Sequence, residues 1–108
     1  VLKFSEPAIT GRLATLAVRA KVGREGEAEE VLAQKFLAAV DKLNKDIGIP
    51  TTLDALREED IPALAEAALW EAHTGYPVPR YMTQEICEDL IRQALPGKKP
   101  APRRRKAA

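Results

Sequence analysis

The chain has 108 residues, a length for one domain at most, and its 17 basic and 16 acidic side chains nearly cancel. The balance hides a gradient: Lys98, Lys99, Arg103, Arg104, Arg105 and Lys106 all follow Pro96, so residues 1–96 hold 11 basic and 16 acidic side chains, a net of −5. The single cysteine, Cys87, excludes an internal disulfide and a cysteine-based zinc site, and no run approaches the ~18 apolar residues of a membrane span.

Hydrophobic residues make up 45% of the chain, yet 18 of them are alanine and aromatics are only 5%. Short side chains let helices approach closely but bury little area each, so a stand-alone core is thin and a packing partner is expected. Val1 to Phe4 has neither an initiating Met nor the charged-then-apolar order of a signal peptide. The chain therefore reads as a piece of something longer, in a reducing cytoplasm.

In "PAITGRLATLAVRAKVG" the apolar residues Ile9, Leu13, Leu16 and Ala20 recur at three- and four-residue steps, which predicts a helix with one buried stripe. Pro7 is tolerated there near the helix start, and Gly23 is the expected stop. The next segment repeats the pattern through Leu32, Phe36, Val40, Leu43 and Ile47, with Glu27, Glu29 and Glu30 near its positive end; it predicts the longest helix, about residues 26–47. Gly48 is suited to the left-handed residue that closes it, and Pro50 biases Ile49 toward extended backbone.

Leu53 and Leu56 predict one short helical turn. Asp60 is a candidate cap and Pro62 a first-turn proline for the following helix, whose inward face is expected at Leu64, Ala68, Leu69 and Ala72. "GYPVPR", residues 75–80, carries two prolines and is a loop. Thr83 is the expected cap of a last helix with Ile86, Leu90, Ile91 and Ala94 on its stripe, stopped by Pro96 and Gly97. With no period-2 run and no internal repeat, the expected fold is all-α: about five helices over residues 1–96 as one helical domain in an irregular bundle, then a basic, disordered tail over 97–108.

Chemistry is sparse. One histidine, no paired-histidine helix, no GxGxxG, no GxxxxGK[ST] and no GxSxG leave no complete active site. His73 closes a helix, where the negative end of the dipole favours a cation, and the loop after it is able to line a cleft; the plainer reading is an exposed helix-ending histidine. Cys87, beside the last apolar stripe with no histidine near it in sequence, reads as a small buried side chain rather than a nucleophile. Trp70 follows Ala68 and Leu69, so ordinary packing is the default and a cofactor or subunit contact the alternative. Tyr76 and Tyr81 flank the proline loop and either staple it or face a ligand. The RRRK cluster is able to bind phosphates, but the acidic body and the lack of aromatic interleaving favour a solubilising terminus over a nucleic-acid contact.

Taken in order, "VLKF", "AAVDKLNKDIGIP", "TLDAL", "EEDIPALAEAAL", a proline-and-arginine loop and "TQEICEDLIRQAL" resemble the C-terminal helical region of the iron-containing (group III) alcohol dehydrogenases. The resemblance covers about residues 1–96 and is carried by the linked GIP and DIPALAEAAL blocks. It implies the helical half of a dehydroquinate synthase-like fold. It also implies a full-length enzyme that binds NAD or NADP on an N-terminal α/β domain and holds a divalent metal, usually iron, through one Asp and three His that precede this region. The last of those histidines commonly sits directly before an apolar-aromatic segment like Val1, Leu2 and Phe4.

Two departures stand out: Ser5 where Asn is common, and "HTGYPVPR" in place of a shorter NPR loop. The resemblance puts His73 where some relatives carry a cysteine close to the substrate pocket, which makes it the one candidate pocket-lining residue. No catalytic, cofactor-binding or metal-ligating residue is expected in this chain. The implied partners are the N-terminal nucleotide-binding domain and a small alcohol or aldehyde substrate, with a homo-oligomer allowed and no membrane. The alternative is an independent small helical interaction module with a basic tail and no catalysis.

Overall fold

The computed structural model describes residues 1–97, and every regular element among them is helical. Four α-helices occur in the order α1 (Leu2–Arg19), α2 (Glu29–Asp46), α3 (Ile61–Gly75) and α4 (Gln84–Arg92), with a 3-10 turn at Glu58–Asp60. The all-α expectation holds; the fifth helix does not form. Leu53 and Leu56 instead close a single turn, the Leu56 N–H donating to the Leu53 carbonyl at 3.1 Å. The expected tail begins at Gly97 and otherwise lies outside the described residues. The chain divides into two compact units, Val1–Pro50 with Val78–Tyr81, and Thr51–Pro77 with the residues from Met82 onward.

The first unit is built on α1 packed against α2. α1 starts at Leu2, earlier than the position of Pro7 suggests, and is kinked: Ile9 has non-helical backbone angles (φ −135°, ψ 28°). Pro7, two residues earlier, lacks the N–H that would bond the Lys3 carbonyl, so the ladder of this first stretch is already interrupted. α1 also ends before Gly23. The Lys21 N–H reaches the Val18 carbonyl and the Val22 N–H the Ala17 carbonyl, both at 3.0 Å, with Lys21 itself left-handed (φ 62°). This pairing satisfies the last carbonyls of the helix.

Gly23 has a different task, since a Cβ there would collide with Leu32 Cδ2. α2 is shorter at its start than expected because Glu27 belongs to the turn: its carboxylate accepts from the Arg24 N–H (2.7 Å) and from Lys35 Nζ (2.6 Å). The Lys35 ammonium first, and the Arg24 N–H second, hold the Glu27 carboxyl below the usual carboxylate range. At the other end Gly48 closes α2 as its sequence indicates, at φ 80°, with the Ile49 N–H on the Asn44 carbonyl.

Small residues set the α1–α2 interface. Ala17 and Ala33 are fully buried; Leu13 packs with Ala33 and Leu37, and Ala14 and Ala17 with Leu32, while half-buried Phe36 lies against both groups. The buried stripe is therefore narrower than the apolar periodicity suggests, since Leu16, Ala20, Leu43 and Ile47 are exposed. Leucines and alanines share the contact, Leu13, Leu32 and Leu37 packing against Ala14, Ala17 and Ala33, so large side chains of one helix lie over small ones.

The second unit holds α3, α4 and the 3-10 turn. Asp60 is the last residue of that turn, has helical angles (φ −88°, ψ −12°) and makes no side-chain cap bond, so the 3-10 turn runs directly into α3. Pro62 sits in the first turn as expected, where its missing donor is of no consequence. The inward face of α3 is Ile61 and Ala65, both fully buried, continued by half-buried Leu69 and Ala72. Leu64 and Ala68, expected inside, are exposed.

Thr83 caps α4 as its sequence indicates, accepting from the Ile86 N–H at 3.2 Å. Thr83→Ala should cost about 0.5–2 kcal/mol, read as a lower denaturation midpoint, whereas Thr83→Ser should cost little. Arg92 ties α4 to the 3-10 turn. Its Nε donates to Glu58 and its Nη1 to Asp89, both at 2.9 Å, and its Nη2 to Glu88 at 3.3 Å; Glu58 foremost holds the guanidinium in its charged form.

Candidate functional site

His73 lies in the last turn of α3, two residues before Gly75 ends the helix, and is exposed. The next residue fixes the local backbone, since Thr74 Oγ1 donates to the Trp70 carbonyl one turn back. Beyond Gly75 the chain straightens at Tyr76 (φ −159°, ψ 155°), an extended conformation suited to the residue before Pro77. Tyr76 and Tyr81 are both exposed.

The loop's arginine acts within the first unit. Arg80 Nη1 donates to the Phe4 carbonyl at 2.6 Å, and its guanidinium carbon lies 4.1 Å from the centre of the Phe4 ring. One side chain thus combines a charge-assisted hydrogen bond with a cation–π contact on the first turn of α1. Sequence reasoning missed this pairing, because no pattern links positions 76 apart. Lys3, on the same turn, pairs with Asp41 of α2 at 2.7 Å. The opening turn of α1, next to Val1, is therefore held from both the loop and α2.

Cys87 is buried, with its Sγ 3.9 Å from the Ala65 carbonyl. Burial first, and the Glu88 carboxylate second, push its thiol pKa up. That is the opposite of what a nucleophile requires and agrees with the reading of a small core residue. Trp70 departs from expectation: it is 73% exposed rather than packed. It follows Ile61 by nine residues, about two and a half turns, which puts it on the opposite side of α3 from Ile61.

Among the described residues no group of three or more His, Cys, Asp or Glu is placed to hold a metal ion, and a single histidine does not make a metal site. The described residues do not fit an iron centre. No helix among the described residues is long and apolar enough to cross a membrane. Three shallow depressions lie on the first unit, at the α1–α2 turn, along the α1–α2 seam and on the outer face of α2 around Val31; none of them includes His73.

The chain is similar to the lactaldehyde reductases of Escherichia coli strain K12 and of Escherichia coli O157:H7, 43% identical to each over 72 residues. Those residues are 65% of this chain but 19% of each relative, so the chain matches under a fifth of the length of these curated relatives. The family model described as "Fe-containing alcohol dehydrogenase family, C-terminal" matches residues 1–95, every described residue but the last two. With its GIP turn at Gly48, its proline-started α3 and its Thr-capped α4 all in place over that span, the chain belongs to the Fe-containing alcohol dehydrogenase family, as its C-terminal region.

Proposed function

We propose that this chain is the C-terminal helical part of an NAD(P)-linked, iron-dependent alcohol dehydrogenase that interconverts a small alcohol and its aldehyde in the cytoplasm. The observation that carries this reading is the family match over residues 1–95, combined with the small fraction of the relatives' length that the chain represents. Two relatives are reductases of an aldehyde by name, which supports a small aldehyde or alcohol as substrate. The nicotinamide cofactor supplies the hydride acceptor and iron the electrophile, and both belong to parts of the enzyme outside this chain.

What this chain contributes is a wall. Hydride transfer needs a site from which water is excluded, and alanine-rich helices bearing apolar faces supply that exclusion without adding reactive groups. His73, at the open end of α3, is the residue proposed to line the substrate pocket. The chain by itself is catalytically inert in this reading.

The first experiment is the intact mass of the native protein, detected with an antibody against α2. A species several times heavier than 11.8 kDa, with alcohol-dependent NAD(P) reduction on iron addition, is the expected result. A native species of 11.8 kDa would overturn the reading and leave an independent helical module. In the heavier enzyme, His73→Ala should lower kcat/KM for the preferred alcohol by about tenfold, equivalent to about 1.4 kcal/mol of transition-state stabilisation. Unchanged kinetics for every accepted alcohol would remove His73 from the pocket.

A further inference from the structure

α3 is apolar on more than one side. Nine of its 15 residues are Ala, Ile, Leu or Trp, and the buried stripe of Ile61 and Ala65 uses only one face. On the remaining circumference Ala63, Leu64, Ala67 and Trp70 are exposed, Leu64 by 45% and Trp70 by 73%. The charged residues Glu66 and Glu71 bound this second apolar face rather than interrupt it, and an exposed apolar strip of this kind marks a face that awaits a partner. Positions 63, 67 and 70 fall at i, i+4 and i+7, which makes them one continuous strip: two methyl groups beside a protruding indole.

We infer that this strip is a docking surface for the nucleotide-binding region of the same polypeptide, which meets it with an apolar slot for Trp70 rimmed by Lys or Arg. The inference rests on the functional reading above and adds to it the surface and the chemistry of the contact. Four observations choose this occupant. The curated relatives have about four-fifths of their length outside the segment matched here, so most of the polypeptide that the reading requires is available to cover α3. Ala63 and Ala67 leave room for a second backbone close to that of α3, while Trp70 supplies the large rigid anchor that dominates well-packed interfaces.

Charge supplies the third. Within residues 51–77 and 82–97 there are nine acidic and two basic side chains, and Glu66 and Glu71 of α3 flank the strip and are exposed. A second copy would bring the same carboxylates against themselves, whereas a surface rimmed by Lys or Arg complements them. The fourth is continuity. His73 lies between Trp70 and the end of the same helix, so a region that closes a substrate cleft over His73 extends naturally along the face that bears Trp70.

The test uses the native polypeptide and the difference in fluorescence between it and its Trp70→Phe variant, which isolates the contribution of Trp70. The expected result is blue-shifted emission that acrylamide quenches several-fold less than an exposed indole, unchanged on dilution. Ala67→Glu should expose Trp70 to acrylamide and let limited proteolysis release the C-terminal helices, with helical circular dichroism retained. Emission at the wavelength of free indole with full quenching, in a polypeptide several times heavier than this chain, would overturn the inference while leaving the dehydrogenase reading intact. Protection lost on dilution would assign the face to a second copy and overturn it as well. A native mass of 11.8 kDa would remove both the reading and the inference that depends on it.

Discussion

Ala17→Glu is expected to unfold the α1–α2 unit. Ala17 is fully buried against Leu32 of α2, in a cluster with Ala14, Val18 and Phe36, all apolar. The substitution introduces a longer side chain into a packed contact, at about 1–3 kcal/mol, and adds the desolvation of a charge, which costs several kcal/mol more. Against a total stability of about 5–15 kcal/mol for a whole domain, that is a large fraction. The control is Ala38→Glu, the same change on the exposed side of α2, expected to lie within about 0.5 kcal/mol of the parent. Far-UV circular dichroism against urea concentration separates the two, and equal midpoints would refute the assigned interface.

The second large effect belongs to Ile61. It is fully buried at the start of α3, so Ile61→Ala should cost about 2–5 kcal/mol through lost burial and the cavity left behind. Leu64→Ala, three residues on, should cost this chain less than about 0.5 kcal/mol, because Leu64 is 45% exposed. The apolar spacing of the helix predicts the reverse ranking, with Leu64 on the inward face. If Leu64→Ala proved the more damaging in the isolated chain, the orientation of α3 described above would be wrong.

The contrast between these residues explains where sequence reasoning works. Local devices were readable: Gly48 in the left-handed conformation, Pro62 in a first turn, Thr83 as a cap and Cys87 as a small buried side chain. Each depends on the chemistry of one residue and its near neighbours along the chain. The linked GIP and DIPALAEAAL blocks carried the family for the same reason, being contiguous. Asp60 failed as a cap because a 3-10 turn ahead of α3 holds its backbone helical, and capping requires extended backbone at that position.

The faces of the helices were not readable to the same degree. In a helix with apolar residues on several sides, periodicity offers more than one stripe, and only the partner decides which is buried. Thus Ala17 and Ala33 displaced Leu16 and Leu43 at the α1–α2 contact, Ile61 and Ala65 displaced Leu64 and Ala68 in α3, and Trp70 was left outside. The Arg80 clasp on Phe4 is of the same kind, a contact between residues distant in sequence with no local signature. Helix type, the closing of α2 at Gly48, the capping of α4 at Thr83 and the family follow from short-range chemistry written along the chain. Which alanine touches which leucine, and which face stays open, depends on how closely two backbones approach, and that distance exists only once the helices have packed.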